Sequence, residues 1–196
     1  MPAVLLVLAV VCVGVWLLLG APMPGAPEPA APTWGDPSSG RPATGQPGQG
    51  EAARPADAFE LVVDHVYDGD TIRATVLSPN DVVPTTDPVR VRLIGIDTPE
   101  GTPTVECWAD EARAHLSELL PDGSRVWAAV DRDPQDRYGR YLFYLWTDDG
   151  VFVNHELVAS GDAVAIRVAP NDAHIDLLRA AQRQAERDGL GQWGAC

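Results

Sequence analysis

The chain has 196 residues, 28 acidic and 14 basic, for a formal net charge of −14, and every basic residue is an arginine. Such a balance repels polyanions at long range, which excludes a protein that grips nucleic acid over a broad basic surface. It leaves room for one that meets phosphate at a single local site, through a cation and a few arginines.

In chain order, residues Ala3 to Leu19 come first, uniformly apolar and uncharged. At about 1.5 Å per residue this run spans roughly 26 Å, close to the hydrocarbon thickness of a bilayer. Residues 1–20 read as a transmembrane anchor or a signal peptide. Pro22 and Pro27 interrupt any small-x-small cleavage site, which favours the uncleaved anchor. Either reading places the remainder outside the cytoplasm, membrane-anchored or secreted. Between Gly20 and Asp57 lie nine of the 18 prolines and seven of the 18 glycines. No core forms at that density, so residues 21–57 read as a disordered linker. Residues 58–196 are then one domain, large enough for a hydrophobic core.

Phe59 to Tyr67 is β-branched and aromatic and stops at Asp68-Gly69-Asp70, beyond which Thr71 to Leu77 continues as a second strand. A loop with two prolines follows. Val89 to Ile96 alternates valine and leucine with Arg90 and Arg92, as a half-buried strand does. Trp108 to Leu120 has helical spacing, Arg125 to Val130 and Tyr141 to Trp146 read as strands, and Phe152 to Ala159 as a short helix before Gly161. Asp172 to Arg187 carries Ile175, Leu178, Ala181, Gln182 and Ala185 on one stripe, with Gly189 as its stop. Five short strands with a helix between the third and fourth predict an α+β, mainly β domain: a five-stranded OB-fold Greek-key barrel with three helices.

Three segments bring carboxylates and arginines together at strand ends: Asp68-Gly69-Asp70-Thr71, the run Arg92 to Glu100 (Arg-Leu-Ile-Gly-Ile-Asp-Thr-Pro-Glu), and Asp136-Arg137-Tyr138-Gly139-Arg140. Two carboxylates and a backbone carbonyl make a partial shell for a hard cation, with positions left for water and a phosphate oxygen. A third carboxylate, free of the metal, can orient or deprotonate a water. Two arginines can neutralise charge on the equatorial phosphate oxygens.

With these motifs in this order, the chain resembles the staphylococcal nuclease (thermonuclease) family from about Leu61 to Trp193. The resemblance implies calcium held by Asp70, Asp97 and the main-chain carbonyl of Thr98. It implies Glu100 as base or water-orienting carboxylate, and Arg92 and Arg140 as the phosphate clamp. It implies hydrolysis of DNA and/or RNA phosphodiesters to 3′-phosphate and 5′-hydroxyl ends. The sequence carries no oligomer signal, and the chain is read as a monomer. Ile166 and Val168 depart from the family, standing where an aromatic pair packs the substrate nucleotide. Ala169-Pro170 matches a bond that can be cis in the family. The competing reading is a catalytically silent OB-fold module that binds nucleic acid or protein, which has no need of Asp70, Asp97, Glu100, Arg92 and Arg140 together.

The remaining candidates have ordinary readings. Asp68 is a turn former before it is a ligand. His174 reads as a cap or packing residue, and Trp127, Trp146 and Trp193 as core. Cys107 and Cys196 form either a disulfide, suited to an oxidising compartment, or two separate thiols. As a disulfide they close a loop of about 90 residues, which stabilises by roughly 4 kcal/mol in the chain-entropy model.

Overall fold

The computed structural model describes residues 52–196; the predicted apolar anchor and nearly all of the linker lie outside them. The strands are β1 (Phe59–Val66), β2 (Thr71–Val76), β3 (Val89–Leu93), β4 (Ile96–Asp97), β5 (Arg125–Ala129), β6 (Tyr141–Thr147) and β7 (Val164–Ala165). The helices are α1 (Ala109–Leu119), α2 (Val153–Ala159), α3 (Ile175–Asp188) and the single turn α4 (Gln192–Ala195). Five strands close into a barrel in the order β1-β2-β3-β6-β5, with β3 and β6 parallel and every other pair antiparallel. This is the OB-type barrel that the strand pattern predicts.

The alternation seen in the sequence sets the two faces. Leu61, Val63, Ile72, Ala74, Val91, Leu93, Val126 and Ala128 are fully buried. Strand β6 is buried along both faces because helices cover its outer side. There Trp146 stacks on Phe152 at 4.7 Å between ring centroids, and His174 packs edge-on against Tyr144 and Phe152. His174 is thus the packing residue expected, and it makes no side-chain cap at the start of α3.

One predicted element is corrected. Val89 to Ile96 is not a continuous strand: it breaks at Ile94-Gly95, and β4 leaves the barrel to pair with β7. Gly95 has φ +82°, a conformation L side chains rarely adopt, and a Cβ there would come within 2.7 Å of Leu178 Cδ1. The kink therefore needs glycine. Asn154, fully buried on α2, holds it from outside: its Oδ1 accepts from Leu145 N–H and its Nδ2 donates to Ile94 O, both at 2.9 Å.

The C-terminus is fastened at two places. Cys107 and Cys196 form a disulfide across 89 residues, resolving the choice left by the cysteine count. Gln182 Oε1 on α3 accepts from Ala165 N–H on β7. The Ala169-Pro170 peptide bond is cis, as the family pattern allows. Residues at the end of the predicted linker lie on the barrel, with Ala52 O accepting from Trp146 Nε1 and Arg54 over the Trp127 ring at 4.2 Å.

Candidate active site

The β1–β2 turn, the β3–β4 kink and the loop before β6 meet at one end of the barrel. Asp68 does form the turn, its Oδ1 accepting from Asp70 N–H at 3.1 Å. Gly69 lets the turn press against Thr98, whose side-chain atoms would lie 2.7–2.8 Å from a Cβ at that position. This close approach delivers the buried Asp70 carboxylate to the second loop. Its Oδ2 accepts from both the N–H and the hydroxyl of Thr98, each at 3.1 Å, and its Oδ1 from the Thr71 hydroxyl.

Arg92 spans the kink. Its Nη1 donates to Leu93 O at 2.6 Å and Ile96 O at 2.9 Å, satisfying carbonyls that the broken strand leaves free. Its Nη2 lies 2.9 Å from Asp70 Oδ2 and 2.6 Å from Asp97 Oδ1. Four of the six predicted site residues, Asp70, Arg92, Asp97 and Thr98, thus form one bonded set. Glu100 stands at its edge. The Glu100 N–H donates to Glu106 Oε2, and the Glu106 N–H returns to Glu100 O, closing a small loop that presents the Glu100 carboxylate to solvent.

The electrostatics describe an under-compensated carboxylate cluster. Burial pushes the Asp70 carboxyl up to about 6; Arg92 and the Thr98 N–H pull it down, whereas Asp68 and Asp97 push it further up. The Glu100 carboxyl is raised by desolvation, then by Asp68 and Asp97. Four carboxylates share one field with one arginine at their centre.

Arg140, the sixth predicted residue, is set by Asp136. That carboxylate accepts from Arg140 Nε at 2.7 Å and from the Arg140 and Tyr138 N–H groups, at 2.9 Å each. Burial raises the Asp136 carboxyl, but these hydrogen bonds outweigh it and leave it lowered. Arg92 and Arg140 both line a cleft of about 400 Å³, walled by Ile94, Gly95, Ile166, Val168 and Tyr138. Tyr138 is 69 % exposed, with the Arg137 guanidinium over its ring at 4.8 Å.

The donor set fits a hard divalent cation. Among the described residues no group of three or more His, Cys, Asp or Glu stands ready as a metal cage. Yet Asp70 and Asp97 each direct one oxygen at the same positive nitrogen, and every donor there is oxygen, as calcium prefers. Burial first, and the neighbouring carboxylates after it, raise Asp70 and Glu100, and a divalent ion bound there would favour their charged forms.

The sequence pattern does not announce Arg92 as a crosslink between the two carboxylates, since the bridge depends on the Gly95 kink. Nor does it announce Asp136 as the positioner of Arg140; the i, i+4 spacing across a turn was the available signal. Tyr138 is also unmarked by pattern, being one exposed aromatic in a polar loop.

A family model described as staphylococcal nuclease homologue matches residues 90–195. Over 136 residues the chain is 37% identical to a thermonuclease of Staphylococcus intermedius, covering 67% of this chain and 74% of that protein. Over 145 residues it is 34% identical to the endonuclease YhcR of Bacillus subtilis (strain 168), covering 69% of this chain but 11% of that protein. To the endonuclease YncB of the same organism it is 31% identical over 137 residues, 68% of this chain and 61% of that protein.

Proposed function

The chain belongs to the staphylococcal nuclease homologues, and from that premise we propose that it is a calcium-dependent endonuclease acting on DNA and/or RNA outside the cytoplasm. The observation that carries the reading is the Asp70–Arg92–Asp97 set, with Glu100 at its edge and Arg140 across one shared cleft. A module that only binds has no use for a buried carboxylate held against its solvation preference.

Each side chain has a role its surroundings support. Asp70, Asp97 and the Thr98 carbonyl would hold calcium, which when bound supplies positive charge to a phosphate oxygen and to an attacking water. Thr98 fixes the Asp70 carboxylate by two hydrogen bonds, so its rotamer is set before any ligand arrives. Glu100 is solvent-facing and its carboxyl is raised above the ordinary value by desolvation, which suits a group that accepts a proton from water. Arg140, held by Asp136, presents its remaining donors to the cleft, where they would neutralise charge growing on the phosphorane oxygens. Arg92 is the second clamp. Its Nη2 lies between the two aspartates, from where its donors would turn to a phosphate oxygen of the substrate.

The departing bond is the one to the 5′ oxygen, leaving a 3′-phosphate and a 5′-hydroxyl. The Ile166 and Val168 wall is aliphatic, so Tyr138 is the one aromatic ring lining the cleft among the described residues. Discrimination between bases should be weak, since stacking rather than hydrogen bonding contributes there. The disulfide supports an extracytoplasmic site of action, because such bonds persist in oxidising compartments. No oligomer is needed, as one chain supplies the whole set.

The test is cleavage of single-stranded and duplex DNA by the full chain in millimolar calcium and in EGTA. Calcium-dependent fragments with 3′-phosphate ends are expected. Folded protein that cuts neither substrate at any calcium concentration would favour the silent binding module.

A further inference from the structure

The outward face of β1–β2–β3 continues from the active site. On β3, Arg90 and Arg92 share that face, two residues and about 6.6 Å apart along the strand. On β2, Arg73 stands directly opposite Arg90, and Thr71 opposite Arg92. On β1, His65 stands opposite Arg73. The row His65–Arg73–Arg90 therefore crosses three strands beside the row that carries Arg92. Tyr67, at the end of β1 and 39 % exposed, joins the two, with the Arg90 guanidinium over its ring at 5.4 Å and the His65 ring edge-on at 5.2 Å.

This arrangement works against stability. Like charges directly opposite each other on a sheet are destabilising, and the chain has two acidic residues for every basic one with which to avoid it. Even so, neither Arg73 nor Arg90 has a carboxylate within ion-pair distance among the described residues. In and just after β1, Asp64 accepts from the Thr75 hydroxyl and Asp68 from Asp70 N–H. Two exposed, unpaired guanidiniums and a tyrosine ring on an OB-type sheet suit a polyanion with flat bases.

We propose that this face is a track for the single strand flanking the scissile bond. Arg73 and Arg90 would take successive phosphates beyond the one held at Arg92, and Tyr67 would stack a base. The proposal rests on the nuclease reading and explains how an acidic chain retains a polyanion: attraction is confined to one strip running out of the cleft.

The test compares the full chain with its Arg73→Gln/Arg90→Gln variant. Binding of a fluorescein-labelled single-stranded 12-mer is followed in EGTA over a salt series, and cleavage in calcium is followed for the same 12-mer and for a mononucleotide aryl phosphodiester. The variant should bind the 12-mer about tenfold more weakly, with a salt slope shallower by roughly 1.4, as expected for two lost phosphate contacts on a single strand. Its kcat/KM should fall on the 12-mer alone, and its melting temperature should hold or rise as the Arg–Arg repulsion goes. Unchanged binding and slope would overturn the track, and so would an equal loss on both substrates. If the parent chain cleaves neither substrate the nuclease reading fails, while the binding slope still decides the track.

Discussion

Asp70→Asn should stabilise the calcium-free protein while abolishing its response to calcium. The Asp70 carboxyl is 5 % exposed and pushed from its ordinary 3.8 up to about 6, burial being the largest cause. The folded state thus holds this proton more tightly than the unfolded chain. Without calcium, the contribution of this group to stability is fully present below the ordinary carboxyl range and is lost as pH rises through about 6. The shift corresponds to about 3 kcal/mol between charged and neutral forms. Asparagine keeps the shape and an acceptor for Thr98 but forgoes the attraction to Arg92, leaving a net gain of about 1–3 kcal/mol at pH 8. For a domain of this size that is roughly 3–10 °C in melting temperature. The assay is thermal unfolding of both proteins from pH 4 to 8, in EGTA and in calcium. In EGTA the variant should melt higher at pH 8, and the gap should close toward pH 4. In calcium the gap should close or reverse, because a ligand at a hundred times its Kd stabilises the protein that binds it by about 2.7 kcal/mol. A variant that melts below the parent at pH 8 in EGTA would refute the reasoning.

Glu100→Gln should lower kcat by about 10²–10⁴, the usual range for a positioned base, with calcium-induced stabilisation retained. In the parent, activity should fall on the acid side as the raised Glu100 carboxyl takes up its proton, and the variant should lose that limb of the pH profile. Asp136→Ala should raise KM and lower kcat together by freeing Arg140, and the shift in melting temperature should be small, since the pair is partly exposed. The His115 Nδ1–H donates to the buried Asp162 carboxylate, and this hydrogen bond is the largest cause raising the imidazole; its folded form favours the proton, so His115→Gln should lower the melting temperature more at pH 6 than at pH 9. Reduction of Cys107–Cys196 should destabilise by roughly 2–5 kcal/mol, read by melting with and without reductant.

Much of the barrel is legible in the sequence because its strands follow a two-residue period. Leu61 and Val63, Ile72 and Ala74, Val91 and Leu93 alternate as written and point inward. What resists reading is set by contacts distant in sequence. Val-Arg-Val-Arg-Leu-Ile-Gly-Ile has no internal signal that Gly95 must bend; the bend exists because Leu178 of α3 and Asn154 of α2 close on it. Strand β7 is two residues long, with no period to detect. At the site, the acids and arginines are visible as motifs, and their convergence follows from strand order. The partner each one takes does not, since it depends on how closely Gly69 lets one loop approach another.

Arg92 shows why residue type alone leaves a role incomplete. Read as a motif member it is a phosphate clamp. Read in the fold it is also the positive charge that lies between Asp70 and Asp97. Without it, Asp70 and Asp97 would lose their shared positive partner, and the Asp70 carboxyl would be raised further. The two roles are compatible because they belong to different moments. The guanidinium is anchored by Nη1 to the Leu93 and Ile96 carbonyls, which fix its stem at the kink whichever partner Nη2 takes. In the proposed role it would exchange carboxylates for a phosphate without leaving the site. Substituting lysine would keep the charge but lose the fork that reaches two carbonyls through Nη1 and two carboxylates through Nη2.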